Sequence, residues 1–167
     1  MNPLIILTAP TGAPDGSRPG TAIRPIQAED VPGLSRMYRE AYADGLPQPA
    51  DRAVGWIDAL LHGAQGRHVP EASAVKAGPD GQLAAAIIVT EPAPGSEGGW
   101  DSEIAELFTH PDHRRQGLAE ELLGHSLHVL HTLGRNRVAV TVDSGNSAAL
   151  ALYLSRDFRR LSDDDGD

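Results

Sequence analysis

Apolar positions recur along the chain with two different periods, and the changes of period mark its elements. Residues 3–7, PLIIL, are a short apolar run, and residues 8–20, TAPTGAPDGSRPG, are crowded with Pro, Gly, Ser and Thr. That composition predicts a linker without regular structure. The apolar run ahead of it is expected as an added edge strand or a free tail, with docking favoured because exposed Leu and Ile are unfavourable in water. Residues 21–27, TAIRPIQ, predict a strand. In residues 28–42, Val31, Leu34, Met37, Tyr38 and Ala41 fall at helical spacing behind Asp30 as a cap. Residues 51–63 repeat the logic, with Val54, Ile57, Leu60 and Leu61 on one face and Gly63 as a stop. Residues 71–77 and 83–91 flank the turn sequence GPDG and predict a β-hairpin. After the loop at 92–99 come a strand at 103–109, a long helix at 116–134, a strand at 137–143 and a short helix at 147–157. One brief strand and an acidic tail complete the chain. The resulting order, β-α-α-β-β-β-α-β-α-β, predicts a mixed α/β layer rather than a strict alternation.

The segment from Glu106 to Leu123, ELFTHPDHRRQGLAEELL, carries the first sign of chemistry. Ala119, Leu122, Leu123, Leu127, Leu130 and Leu133 form an apolar stripe that must lie on the sheet, which fixes the helix start near Gln116. Free N–H groups and the positive end of the helix dipole there attract an anion. Gly117 and Ala119 let anionic oxygens approach the main chain, while Arg114 and Arg115 add charged donors. The dinucleotide pattern GxGxxG and the phosphate loop ending in GK[ST] are both missing. The bland alternative is a strand, a turn and a helix with solvated arginines.

Composition narrows the partners. A length of 167 residues suits one domain, expected at 21–167 behind an extension or linker at 1–20. With 14 Lys+Arg against 23 Asp+Glu, the net charge of -9 argues against nucleic acid or an anionic membrane surface and suits a cationic acceptor. PLIIL is too short to span a bilayer and lacks a basic region before it, so a cytoplasmic protein is expected. The lack of cysteine excludes disulfides, thiolate metal sites and a cysteine nucleophile.

RRQGLA at 114–119 fits the pattern Q/R-x-x-G-x-G/A of the GNAT family, the acetyl-CoA-dependent N-acetyltransferases. NSAALALYLSRDF at 146–158 resembles that family's N-x-x-A-x-x-L-Y-x-x-x-G-F segment, with Asn146, Ala149, Leu152, Tyr153 and Phe158 in place. LFTHPDHR looks like its L-x-V-x-P-x-x-R strand end, and residues 23–42 look like its opening strand and helix. The resemblance covers roughly residues 21–158. It implies a mixed, mostly antiparallel central sheet flanked by helices, with the C-terminal strand shortened here. It also implies that the backbone of Arg115, Gln116, Gly117, Leu118, Ala119 and Glu120 holds the pyrophosphate of acetyl-CoA. Leu107, Phe108 and Thr109 would pair with the pantetheine arm, Asn146 would lie against the cofactor, and the Tyr153 hydroxyl would face the thioester sulfur as general acid.

Moving an acetyl group from sulfur to an amine needs a neutral amine, a polarised carbonyl and a stabilised leaving thiolate. Amines with pKa near 10 are mostly protonated at neutral pH, so a carboxylate or a water chain must take a proton. Glu103 and Glu106 are the base candidates; three positions apart on an extended strand, they are expected on opposite faces, with Glu103 the better family match. Each has the alternative of a solvated carboxylate. His110, His113, His125, His128 and His131 invite a metal reading, but the last three fan around a helix and no ligand set completes a tetrahedron, so no metal is expected. His110 could border the acceptor cleft.

Two departures stand out. Asp157 occupies the family's glycine position, which requires a left-handed backbone. Only RRLSDDDGD follows Phe158, leaving a sheet edge to be filled by a second subunit or by the PLIIL arm of a neighbour, hence an expected homodimer. The leading expectation is an N-acetyltransferase acting on a primary amine of a small molecule or a protein, gripped by the loops at 41–52 and 91–99. The competing one is a catalytically silent acyl-CoA sensor or interaction module.

Overall fold

A computed structural model describes residues 3–12, 23–42, 55–95 and 98–161. The elements are β1 (Leu4–Pro10), β2 (Ile23–Arg24), α1 (Val31–Tyr42), α2 (Trp56–Leu61), β3 (Ala74–Ala77), β4 (Leu83–Thr90), β5 (Ser102–Thr109), α3 (Leu118–Thr132), β6 (Arg137–Asp143), α4 (Ser147–Ser155) and β7 (Arg159–Arg160). They form one seven-stranded sheet in the order β2-β3-β4-β5-β6-β1-β7. Every pairing is antiparallel except β5 with β6, so the mixed, mostly antiparallel sheet implied by the resemblance is what forms.

The sequence of β4, LAAAIIVT, is a continuous apolar run and not an alternating one, as expected of a strand covered on both faces. Its residues divide between two cores. Ala85, Ile87 and Val89 join Leu122, Leu123, Leu127 and Leu130 of α3. Ala86 and Ile88 join Leu34, Met37 and Tyr38 of α1 and Ile57 and Leu60 of α2. The α3 stripe is as expected except at its two ends: Ala119 is half-buried outside the core, where Leu118 takes its place, and the helix stops at Thr132, Gly134 turns left-handed at φ 80°, and Leu133 is left exposed. Asp30 is not the cap of α1. It ends a short 3-10 turn, where its carboxylate accepts from the Gln27 N–H and from both terminal nitrogens of Arg24 at 2.8 Å.

Residues 4–10 do not lie at the sheet edge. β1 is an inner strand, antiparallel to β6 from Leu4↔Asp143 to Pro10↔Arg137 and to β7 through Leu7↔Arg160. It also takes Thr8, Ala9 and Pro10 out of the expected linker. The vacancy implied by the short C-terminus is thus filled by this chain's own N-terminal strand, with Leu7 and Ala9 buried in the α3-side core. The expected homodimer rested on that vacancy.

Asp157 takes the left-handed conformation, φ 68°, that its position demands. Among the described residues, its carboxylate has only an exposed contact with Arg159 at 3.8 Å. Asp157→Gly relieves the Cβ strain but adds chain entropy to the unfolded state, so a net gain of about 0.5–1 kcal/mol is expected. In a thermal melt this reads as a rise of about 1–4 °C.

Candidate active site

The geometry of the site originates in one irregularity of β5. The strand pairs with β4 from Ala85↔Thr109 to Ile88↔Glu106 and resumes at Val89↔Ile104, so Ala105 is the extra residue of a β-bulge. On its other side β5 pairs with β6 only from Ser102↔Val138 to Ile104↔Val140. Beyond the bulge the two strands part, and among the described residues no strand serves the β6-facing backbone of Leu107, Phe108 and Thr109. Backbone groups at such an opening require another partner.

The bulge also overturns the regular alternation assumed for the two carboxylates. Ile104 and Leu107 pack toward α3, whereas Ala105 and Phe108 pack toward α1 and α2. Glu106 shares the latter side, and alternation back from Ile104 puts Glu103 there too. The two differ in environment instead. Glu103 is half-buried and accepts from the Trp100 Nε1 at 2.9 Å. Glu106 is buried, and its carboxylate accepts from Trp56 Nε1 at 2.9 Å, Tyr38 Oη at 3.1 Å and Tyr42 Oη at 3.4 Å. These donors come from α1 and α2, far away in sequence.

Between β5, α3 and α4 lies a cleft of about 300 Å³. Leu107, Phe108, Thr109, Arg114, Arg115, Gly117, Leu118, Ala119, Glu120, Asn146 and Tyr153 all line it, while Gln116, Glu103 and Glu106 do not. Tyr42, Ala41, His113, Ala148, Ala149 and Leu152 complete the wall. Of these six, Ala41 and Tyr42 open the loop expected to grip the acceptor, and the sequence reading assigned the other four no role in holding acetyl-CoA or the acceptor; Tyr42 also falls four positions after Tyr38, on the last turn of α1. His110 stays outside, its Nε2 2.8 Å from Glu40.

At the cleft floor α3 begins without a side-chain cap. Its N-cap is Gly117 at φ 77°, two residues after Arg115 at φ 65°. An uncapped first turn leaves main-chain donors for an anion. A left-handed non-glycine residue is strained by roughly 1–2 kcal/mol, and such strain collects at ligand sites. Glu120 and Glu121 in the first turn would repel an anion, but each faces a cation: Arg156 lies 3.4 Å from Glu120, and Lys76 pairs with Glu121. Arg114 lines the cleft and also braces its wall. Its Nη2 donates to the Ala41 carbonyl at 2.7 Å, tying the loop to the end of α1. Asn146 caps α4 by accepting from the Ala149 N–H through its side-chain oxygen, leaving its amide nitrogen to a ligand.

Tyr153 is buried, with its ring 5.1 Å from that of Phe158. Burial, and then the Glu106 charge, push its hydroxyl well above the ordinary tyrosine range. Tyr42 is raised too, by burial first and then by Glu106, Tyr38 and Tyr153. Both phenols therefore stay neutral under assay conditions. A raised tyrosine favours the folded state fully below its unfolded value of 10.0, and that advantage shrinks as pH climbs toward the folded value. Urea midpoints are expected to hold up to pH 10 and then fall, by up to about 1.4 kcal/mol per pH unit for each tyrosine.

Among the described residues no three His, Cys, Asp or Glu side chains are grouped to hold an ion, and no helix is long and apolar enough to cross a membrane. The loop at 41–52 expected to grip the acceptor lies mostly outside the described residues, as does part of that at 91–99.

A model of the acetyltransferase (GNAT) family matches residues 31–158. Among solved structures, the chain is similar to a GCN5-related N-acetyltransferase from Sphaerobacter thermophilus, with a TM-score of 0.67 and 16% identity over 95% of this chain and 48% of that one. It is similar to the ribosomal-protein-S18-alanine N-acetyltransferase from Escherichia coli, with a TM-score of 0.63 and 23% identity over 84% and 78% of the two chains. An aminoglycoside antibiotic 6'-N-acetyltransferase from Acinetobacter haemolyticus gives a TM-score of 0.59 and 17% identity over 84% and 92%. At these identities the likeness is one of fold, and the chain spans about half the length of the Sphaerobacter protein. No curated protein matches the chain in sequence.

Proposed function

The chain belongs to the GNAT family of acetyltransferases, and from that premise we propose that it transfers an acetyl group from acetyl-CoA to a primary amine by direct attack. The observation that carries this reading is the coincidence, in one cleft, of an uncapped helix start with the unpaired edge of β5. The first suits a diphosphate, whose oxygens would take the amides from Arg115 to Glu120. The second suits an extended chain bearing amides, which would complete the sheet beside Leu107 and Thr109. Tyr153, at the end of that path, would hydrogen-bond the departing sulfur through its hydroxyl.

The net charge of -9 favours a cationic acceptor, whether a small polyamine or aminoglycoside or a protein amine. Of the two carboxylates, Glu106 is the better base on position, since its charge reaches both Tyr42 and Tyr153 in the cleft wall. Glu103 is held by Trp100 and lines no part of the cleft.

The test is thiol release from acetyl-CoA in the presence of spermidine, kanamycin or peptides with free N-termini, beside calorimetry with CoA at low ionic strength. Saturable CoA binding with amine-dependent release supports the transferase. Binding without release for any amine would indicate an acyl-CoA sensor, and no binding by folded protein would remove both readings.

A further inference from the structure

Glu106 is the carboxylate whose charge bears on both Tyr42 and Tyr153, yet it does not itself line the cleft. The residue is 7% exposed, lies outside the cleft lining, and is packed beneath Tyr38, Tyr42 and Trp56. Two of those donors, Tyr38 and Trp56, converge on Oε1. Tyr42 addresses Oε2, and it is also the member of the trio that lines the cleft. Among the described residues, the path from cleft to carboxylate therefore runs through one phenol.

Resting on the acetyltransferase reading above, we propose that the Tyr42 hydroxyl is the group that receives the proton of the attacking amine and passes its own to Glu106. As the C–N bond forms and the C–S bond breaks, the amine proton moves to Tyr42 Oη and the Tyr42 proton moves to Glu106 Oε2. Tyr42 is neutral before and after. The sulfur leaves as a thiolate and takes its proton from solvent; Glu106 returns its own to solvent by the reverse path once product has left. Tyr42 is then a catalytic residue, and Tyr38 and Trp56 are positioning residues that fix the carboxylate.

Three features fit a relay and not a direct base. The 3.4 Å separation of Tyr42 from Oε2 is long for an O–H···O bond, and catalytic contacts of this kind tighten when substrate is present. The ring is braced by Tyr38, 4.8 Å away between centroids, and by its place on the last turn of α1, which Arg114 anchors through the Ala41 carbonyl. The phenol is held neutral by burial and by the Glu106 charge, so it can donate and accept in one step but cannot store a proton. The groups that bear on it are Tyr38 on α1, Glu106 on β5 and Tyr153 on α4, with His113 and Arg114 in the same cleft wall.

The experiment compares wild type, Tyr42→Phe, Glu106→Gln and the double variant, using acetyl-CoA and the fastest of spermidine, kanamycin and the free N-terminal peptides. Tyr42→Phe is expected to lower kcat by about tenfold to a hundredfold, just below the usual range for a direct acid or base because water can stand in. Its KM for acetyl-CoA should stay within about twofold of wild type. In mixtures of light and heavy water, the wild-type rate should curve as two moving protons require, and the variant should lose that curvature. Glu106→Gln should fall comparably, and the double variant should be no slower than the slower single one, as for groups acting in series. Near-UV circular dichroism checks that each variant is folded, and Glu106→Gln reads the same path if Tyr42→Phe is not. Wild-type rate and isotope behaviour in Tyr42→Phe, or losses that multiply in the double variant, would overturn the relay while leaving the transferase intact. A wild type inactive toward every amine would instead overturn the reading beneath it.

Discussion

Removing residues 1–10 is expected to leave a chain that no longer folds cooperatively. β1 is an inner strand, hydrogen-bonded on both sides, so its loss uncovers β6 and β7 along their lengths. It is also fastened at its ends: the Ser144 N–H donates to the Pro3 carbonyl, Leu161 N–H to Ile6, and Gly12 N–H to the Leu127 carbonyl of α3. A single substitution measures the packing part alone. Leu7 is 1% exposed, and Leu7→Ala is expected to lower unfolding stability by about 2–5 kcal/mol, a large share of the roughly 5–15 kcal/mol a domain has. Leu4, on the same strand but 69% exposed, is the control, and Leu4→Ala should stay within about 0.5 kcal/mol. Urea unfolding followed by circular dichroism reads all three. An unchanged midpoint after deletion of 1–10 would mean that β1 is not a member of the folded sheet.

That strand marks one boundary of what the sequence could tell. The apolar character of PLIIL predicted contact with the body of the protein, but periodicity gives a strand's face and never its neighbours. The start of α3 behind the two arginines was legible because its signals are local: the glycine, the small Ala119 and the first leucines of the helix lie within one turn or two of each other. The hairpin around GPDG was legible for the same reason. Glu106 was not, since Tyr38, Tyr42 and Trp56 come from 50 to 68 positions away. Nothing in SEIAELFT announces a bulge at Ala105, yet that one residue separates β5 from β6 and brings Glu103 and Glu106 to the same face. The charge of Arg114 was legible, but not the reach by which it also binds the end of α1.

Tyr153→Phe is expected to slow acetyl transfer by about a hundredfold to a thousandfold, the range for losing one fixed donor to a charge that develops in the transition state. The phenol is a weaker acid than a thiol, whose ordinary pKa is about 8.5, and burial beside Glu106 weakens it further. Complete proton transfer to the sulfur is therefore uphill, and in the proposed transfer the hydroxyl would stabilise the departing thiolate chiefly as a hydrogen-bond donor. Two consequences separate this role from a structural one. Because the phenol keeps its proton at every assay pH, the loss should be uniform from pH 6 to 9, with no alkaline limb removed. Because the donor acts on charge formed during reaction, CoA affinity by calorimetry should change by no more than about twofold. The Phe ring still fills the space against Phe158, so the variant should remain folded. Turnover matching wild type across that pH range would take Tyr153 out of the chemistry and leave the sulfur to be stabilised by another wall of the cleft.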